Sequence, residues 1–374
     1  MKVSTHQLTS TLEDLPPASI AEDEVNLVIV HGSPFSLEDP TLLENLRAGF
    51  PNASIAGCSS AGDILNGKNC ENSVIYAAIK FEHTAVRQVR VDLPEEGRNE
   101  LEAGRELGEK LQGDGLKQIL LFSEGLAVDC DYLLEGMKEV LGADVAIFGG
   151  LAGDIFTVEH TLVMDREGVS GNAVVAVGLY GDRLEVQTST SLFDQEGVEI
   201  EITASEDNIL KEINGRPAFD VYEELLQEQG EMDATSCLHF PIIILDPETR
   251  KPLCCRSIPE GYADDKSLLA AGSIPEGPAK LVSFLNKEHL LEDVRRTCER
   301  IRGESADFAM IASCIGRRSA LGDDWLDEAI SIRQTLGDVP NLGFYSFGEI
   351  GAGYHSQSSI VHNQTLSIAA FHET

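Results

Sequence analysis

Three carboxylates occupy the same slot of three related glycine-rich segments. Asp63 closes Gly57-Cys58-Ser59-Ser60-Ala61-Gly62-Asp63-Ile64, Asp154 closes Gly149-Gly150-Leu151-Ala152-Gly153-Asp154-Ile155, and Glu349 closes Gly343-Phe344-Tyr345-Ser346-Phe347-Gly348-Glu349-Ile350. Glycine leaves backbone N–H groups open to a ligand, because no Cβ obstructs them. A carboxylate beside such a turn can accept from an α-amino group, cap a backbone amide, or pair with an internal arginine. Arg256 and Arg317 supply planar donor forks suited to a ligand carboxylate, or to a salt bridge with those same acids; Arg318 is adjacent and can substitute. Cys58 and Cys314 each stand beside serine near a strand end. A thiolate nucleophile there needs a base, and neither motif contains histidine, so the bland role of a small buried side chain competes. Ser59 and Ser60 do not form a Gly-x-Ser-x-Gly elbow, which leaves them turn hydrogen bonding.

The elements that must carry these residues repeat as well. Val25–Val30 reads as a buried strand stopped at His31-Gly32-Ser33-Pro34, followed by a helix over Leu37–Ala48 and the first glycine segment. A helix over Asn99–Leu111 leads into a strand at Gln118–Phe122, and a helix at Asp129–Val140 into the second. Helix Glu288–Ile301, strand Phe308–Ala312 and helix Asp324–Leu336 lead to the third, and a closing strand covers Gln364–Phe371. From Gly32 to Gly57, Gly125 to Gly149 and Gly316 to Gly343 the intervals are 25, 24 and 27 residues. One supersecondary unit, strand, helix, glycine turn, strand, is thus used three times. Between the second and third uses, Glu196–Asn208 is charged and marks a lobe boundary. Beyond it come a helix at Pro217–Gln227 and short strands at Ile242–Leu245, Leu253–Ser257, Leu268–Ala271 and Lys280–Phe284, the pattern of an antiparallel meander. The expected fold is α/β: two lobes of mixed β-sheet flanked by helices, residues 25–200 and 207–372.

Composition narrows the partners. The 374 residues carry 63 Asp and Glu against 28 Lys and Arg, a formal charge of −35, which repels nucleic acid and anionic lipid. No apolar run reaches the roughly 18 residues of a membrane span, and Met1–Ser19 lacks the basic and apolar regions of a secretory signal. A cytoplasmic protein with reduced thiols is expected. No Cys-x-x-Cys occurs among the eight cysteines, and adjacent Cys254-Cys255 point to opposite faces of a strand rather than to one metal.

Read in series, the motifs resemble the FIST family of sensory domains, from about Val25 to Phe371. Carrying the resemblance are the segments from Gly57 and Phe148, Ile213-Asn214-Gly215-Arg216-Pro217-Ala218 with Val221-Tyr222, Arg256-Ser257-Ile258, Ile274-Pro275-Glu276-Gly277, Ser313-Cys314-Ile315-Gly316-Arg317, the segment from Gly343, and His362-Asn363-Gln364-Thr365. The resemblance implies consecutive N- and C-terminal FIST domains that bind a small ligand such as an amino acid. No output segment is recognised, so the signal is expected to pass to a separate protein such as a histidine kinase. The expected ligand-binding residues are Cys58, Ser59, Ser60, Asp63, Gly149, Gly150, Asp154, Arg256, Cys314, Arg317, Tyr345, Glu349 and Asn363, with no catalytic residue and no metal. One alternative is a haem-binding nitric oxide sensor that regulates a histidine kinase, with His239 as the iron ligand and His355 and His362 as further candidates. A second is a thiol-dependent enzyme using Cys58 or Cys314.

Overall fold

The computed structural model describes residues 1–10, 15–16, 19–94, 97–155, 157–191, 197–226, 237–301, 306–353 and 358–374. The first unit contains β1 (Lys2–Leu8), β2 (Leu27–Gly32), α1 (Pro34–Leu37), α2 (Pro40–Gly49), β3 (Ser54–Ser59), β4 (Asp63–Leu65), β5 (Lys68–Cys70) and β6 (Val74–Lys80). The second contains β7 (Ala85–Asp92), α3 (Glu100–Leu111), β8 (Leu116–Ser123), α4 (Cys130–Leu141), β9 (Ile147–Leu151), β10 (Val163–Asp165), β11 (Val169–Ser170) and β12 (Ala173–Tyr180). The third opens with β13 (Leu184–Thr190) and then leaves for an insertion of β14 (Gly197–Glu206), β15 (Ile209–Ile213), β16 (Arg216–Pro217), α5 (Ala218–Leu226), β17 (Ile242–Leu245), β18 (Pro252–Arg256), β19 (Glu260–Tyr262), β20 (Ser267–Leu269) and β21 (Gly277–Val282). It resumes with α6 (Lys287–Arg300), β22 (Phe308–Cys314), α7 (Ile315–Leu321), α8 (Leu326–Leu336), β23 (Asn341–Ser346), β24 (Gly348–Ala352), β25 (Ser359–His362) and β26 (Leu366–Glu373).

Each unit builds its sheet on one parallel pair: β2 with β3, β8 with β9, and β22 with β23. The strand after each glycine segment then leaves for another sheet. β4 pairs with β23, β10 with β3, and β24 with β9, so the exchange runs around all three units and closes on itself. Apolar runs such as Leu27–Val30 follow from burial on both faces. Leu27 and Ile29 join Phe122, Phe148, Met310 and Phe344 in a core shared by the three sheets. Val28 and Val30 face α2 instead, through Leu42 and Leu46. In the same way α3 and α4 cover the second sheet, and α6 and α8 the third. The insertion is an eight-stranded sheet with its own core around Tyr222, Phe240 and Ile244. The α/β class, the mixed sheets with flanking helices and the repeated unit are therefore present; the short strands of the second half do form an antiparallel sheet, but in the order β18-β17-β21-β14-β15-β20-β19 rather than as a meander, because β14 and β15 come between β21 and β20.

Local differences have local causes. The helix expected at Leu37–Ala48 is two, because Pro34 and Pro40 each start a helix and Asp39 caps the second. Polar Lys2–Leu8 forms a strand because β6 offers an open edge. The charged stretch read as a boundary forms β14, whose polar residues line an exposed sheet face. Among the described residues no helix is long and apolar enough to cross a membrane.

Candidate functional site

The glycines that open the three segments lie inside strands rather than in turns. A Cβ on Gly57 or Gly149 would sit 1.8 or 1.9 Å from the carbonyl oxygen of Val30 or Leu121 on the parallel neighbour. The true turns follow, and they bond to one another. Ala61 N–H donates to Tyr345 O at 2.9 Å, Gly153 N–H to Ser59 O at 2.9 Å, and Phe347 N–H to Leu151 O at 3.2 Å. The backbone donors expected to meet a ligand instead join the units in a ring.

Asp63 and Glu349 serve as buried partners within that ring. Asp63 accepts from Ser60 Oγ at 2.6 Å. Glu349 accepts from Ser346 Oγ at 2.6 Å and from the Thr365 hydroxyl and N–H at 2.8 and 3.1 Å. Burial pushes Asp63 up to about 7 and Glu349 up to about 8, because desolvation outweighs those donors. Asp154 differs: Leu151 replaces the serine of the other two copies, and the carboxylate caps Thr157, Val158, Glu159 and His160. Burial opposes its charge, but those hydrogen bonds hold it below the ordinary value.

Both arginines find internal carboxylates. Arg317 is fully buried, with Nε 3.0 Å from Glu328 and Nη1 3.6 Å from Asp293. Arg256 binds Asp131 at 2.9 Å and donates to Ser273 O and Val361 O, each at 2.8 Å. Burial works against the Arg256 charge, yet Asp131 keeps its pKa above the ordinary value. Arg318 donates to Ala61 O and pairs with Glu71.

The fold does supply Cys58 with a histidine. His31 Nδ1 lies 3.6 Å from Cys58 Sγ, and the ring stacks on Phe344 with centroids 4.3 Å apart. Burial pushes the Cys58 thiol up, with Asp63 adding to it, and pushes His31 down to about 3. Desolvation thus favours neutral thiol and neutral imidazole. Cys314 is likewise pushed up by burial, and its sulfur faces the N–H groups of Gly316 and Gln364.

Two clefts lie where the insertion meets the three-sheet body. One cleft of about 810 Å³ runs from the loop before α4, Gly125–Asp129, to Ser257, Glu260 and Ala270–Gly272 of the insertion. Cys314, Phe347, Val361 and Asn363 also line it. On the other side of the Arg256–Asp131 pair lies a cleft of about 930 Å³, which Arg256 lines. Of the residues singled out in the sequence, Cys314 and Asn363 therefore reach the first cleft and Arg256 the second. Cys58, Ser59, Ser60, Asp63, Gly149, Gly150, Asp154, Arg317, Tyr345 and Glu349 line neither.

Polar groups are sparse on the cleft wall. Ser257 is 4% exposed, and its hydroxyl has no partner among the described residues. Asn363 is 2% exposed, and its side chain bonds at long range, accepting from Ser257 N–H at 3.4 Å and donating to Phe347 O at 3.5 Å. Sequence reasoning missed Ser257, although it adjoins Arg256 in a quoted motif, and missed Asp129 and Asp131, which look like ordinary helix-start acids. No histidine among the described residues lines either cleft. His239 lies elsewhere, at the entry to β17, where its carbonyl accepts from Phe284 N–H at 2.8 Å. His362 is fully buried and its Nε2 is 3.2 Å from Ala352 O. His355 falls outside the described residues. The described residues of the cleft walls thus offer haem no histidine as iron ligand.

No curated protein matches the sequence. Among solved structures, the chain is similar to a cyanuric acid hydrolase from A. caulinodans, with a TM-score of 0.41, 8% identity, and coverage of 100% of this chain and 99% of that one. A second cyanuric acid hydrolase structure gives a TM-score of 0.34 and 10% identity, with coverage of 100% and 99%. Neither likeness is close enough to bear on activity. Family models are more specific: the FIST N domain matches residues 26–216 and the FIST C domain residues 218–352. FIST domains are associated with sensory roles in signal transduction. With both domain models matched in order over most of its length, the chain belongs to the FIST family.

Proposed function

We propose that this chain is a non-catalytic cytoplasmic sensor that binds a small metabolite of the amino-acid class and signals to a separate protein such as a histidine kinase. The observation behind this reading is the cleft of about 810 Å³ between insertion and body. Its volume suits a small organic ligand, and its wall is mostly apolar with a few convergent polar groups. The Asn363 side-chain amide, held by long hydrogen bonds, can turn to a ligand at small cost.

The cleft walls belong to different parts of the chain, so occupancy changes how the insertion sits on the body. Movement there works against a set of polar ties: Arg256 to Asp131 and to Val361 O, Ser273 N–H to Asp131 at 3.0 Å, Asn363 N–H to Cys255 O at 3.1 Å, Gln364 to Leu238 O at 2.7 Å, and Tyr132 OH to Asp207 at 3.0 Å. A ligand that prefers one arrangement shifts that equilibrium by its difference in affinity, and a partner reading the insertion detects the shift. The His31–Cys58 contact gives the thiol-enzyme reading its one supporting distance, but burial opposes the ionised thiol.

Calorimetric titration with an amino-acid panel tests the proposal, run beside Asn363→Ala and the cleft-filling Leu269→Trp. Binding by the wild type that both substitutions weaken supports it. A panel member that binds all three proteins equally would place the site elsewhere.

A further inference from the structure

We infer that, within the amino-acid class, the cleft between insertion and body recognises the ligand's amine and disfavours its carboxylate, so that decarboxylated or amidated members with an apolar body, a positive charge and a hydrogen-bonding group bind best. This rests on the proposed sensory reading of the same cleft.

Every charged side chain on the described wall is acidic: Asp129, Asp131 and Glu260. Asp131 is already paired with Arg256, whose guanidinium is further occupied by Ser273 O and Val361 O. Asp129 also lies in the field of Arg256, and Glu260 has no cation among the described wall residues. Burial raises the Asp129 pKa and the nearby Asp131 raises it further, against the two backbone donors that lower it.

Two helix starts adjoin the cleft, and their partial positive charge could in principle favour an anion. Both are already answered. Asp129 accepts from the N–H groups of Asp131 and Tyr132 at 3.0 and 3.4 Å, and Gly316 N–H of α7 faces the Cys314 sulfur. Leu126 and Ala127 N–H groups donate to the Glu124 carboxylate at 2.7 and 2.8 Å, so this loop offers an anion little. The formal charge of −35 adds a long-range field of the same sign.

The same wall supplies uncharged polar groups. Ser257 has a buried hydroxyl without a partner among the described residues, and Asn363 adds an amide that can both donate and accept. Leu151, Leu269, Ile315, Phe347 and Val361 line the same cleft. A buried hydroxyl left unsatisfied is costly, and a ligand polar group that reaches Ser257 removes that cost.

A head-group series on one apolar body tests this: phenethylamine, L-phenylalanine, phenylacetamide and phenylacetate, titrated calorimetrically into the full chain at low and high salt. The expected order places phenethylamine at least tenfold tighter than phenylacetate, with only the amine's advantage falling as salt rises. Glu260→Gln should reduce phenethylamine affinity severalfold and leave phenylacetamide unchanged, while Ser257→Ala should weaken phenylacetamide and leave phenethylamine unchanged. If phenylacetate binds as tightly as the amine and Leu269→Trp abolishes both, the amine preference is wrong and the cleft stands. No binding by the series, or binding that survives Leu269→Trp, overturns the inference and the cleft assignment together.

Discussion

Arg256 Nη2 lies 2.9 and 3.1 Å from the two carboxylate oxygens of Asp131, tying strand β18 of the insertion to the first turn of α4. The arginine side chain is 5% exposed and the aspartate 23%, so the pair is largely withdrawn from water. Removing the acid alone strands a buried guanidinium. Asp131→Ala is expected to cost about 3 kcal/mol in urea denaturation, and Asp131→Leu with Arg256→Met to recover most of it. A single variant as stable as the wild type would show that the pair does not hold the two parts together.

Glu349 and Asp63 set a pH dependence of stability whose sign follows from burial. In the unfolded chain they titrate near their ordinary values, 4.5 and 3.8; in the fold they are pushed up to about 8 and about 7. Between those values the folded protein keeps protons that the unfolded chain releases, so their stabilisation is complete at low pH and is lost as pH rises towards 8. Each contributes a slope of about 1.4 kcal/mol per pH unit within its window. Denaturation from pH 5 to 8 should therefore be less steep in Glu349→Gln and Asp63→Asn than in the wild type. Parallel curves for wild type and variants would refute the assignment of neutral carboxyls. Asp154 and Glu373, both held below the ordinary range, act with the opposite sign and in a more acidic window.

Gly57 and Gly149 are expected to tolerate no side chain. Alanine at either would drive a methyl into a neighbouring carbonyl oxygen in the middle of a parallel pair, whereas nothing lies within 4 Å of the Cβ position on Gly168. Gly57→Ala and Gly149→Ala should each lose at least 3 kcal/mol in chemical denaturation, and Gly168→Ala should stay within about 0.5 kcal/mol of the wild type. Equal stability in all three would mean that the strands separate readily.

Much of the frame is legible because local chemistry decides it. Leu27–Val30 is apolar on both faces and therefore buried on both; Asn99, Asp129 and Asn286 cap their helices; the three glycine segments recur at like spacing. The destinations of side chains are harder to read. Arg256 finds Asp131 across 125 residues of sequence, and Arg317 finds Glu328 rather than a turn acid, because partner choice follows from tertiary approach. The turn N–H groups were legible as unusual donors, but their acceptors lie in other units. Ser257 carries no sequence signal of its own beyond its neighbour Arg256, since an unpaired hydroxyl is a property of surroundings.

Cys58 gives the sharpest test against thiol chemistry. It and the other seven cysteines are buried in the reduced form. An electrophilic thiol reagent should label Cys58 in the native protein no faster than the fold opens, and Cys58→Ala should leave ligand affinity unchanged. Rapid, selective labelling of Cys58 under native conditions would revive the nucleophile.

The closed exchange of β4, β10 and β24 also bears on how the protein is made. During synthesis the β4–β5 hairpin must wait for β23, and the edge of β9 for β24, both encoded in the last tenth of the chain. Contacts so distant in sequence slow folding, and the waiting strands offer open edges to one another and to neighbouring chains. Nascent protein released before Ala352 should therefore be prone to aggregate and depend on chaperones, whereas the finished ring leaves each of these edges paired.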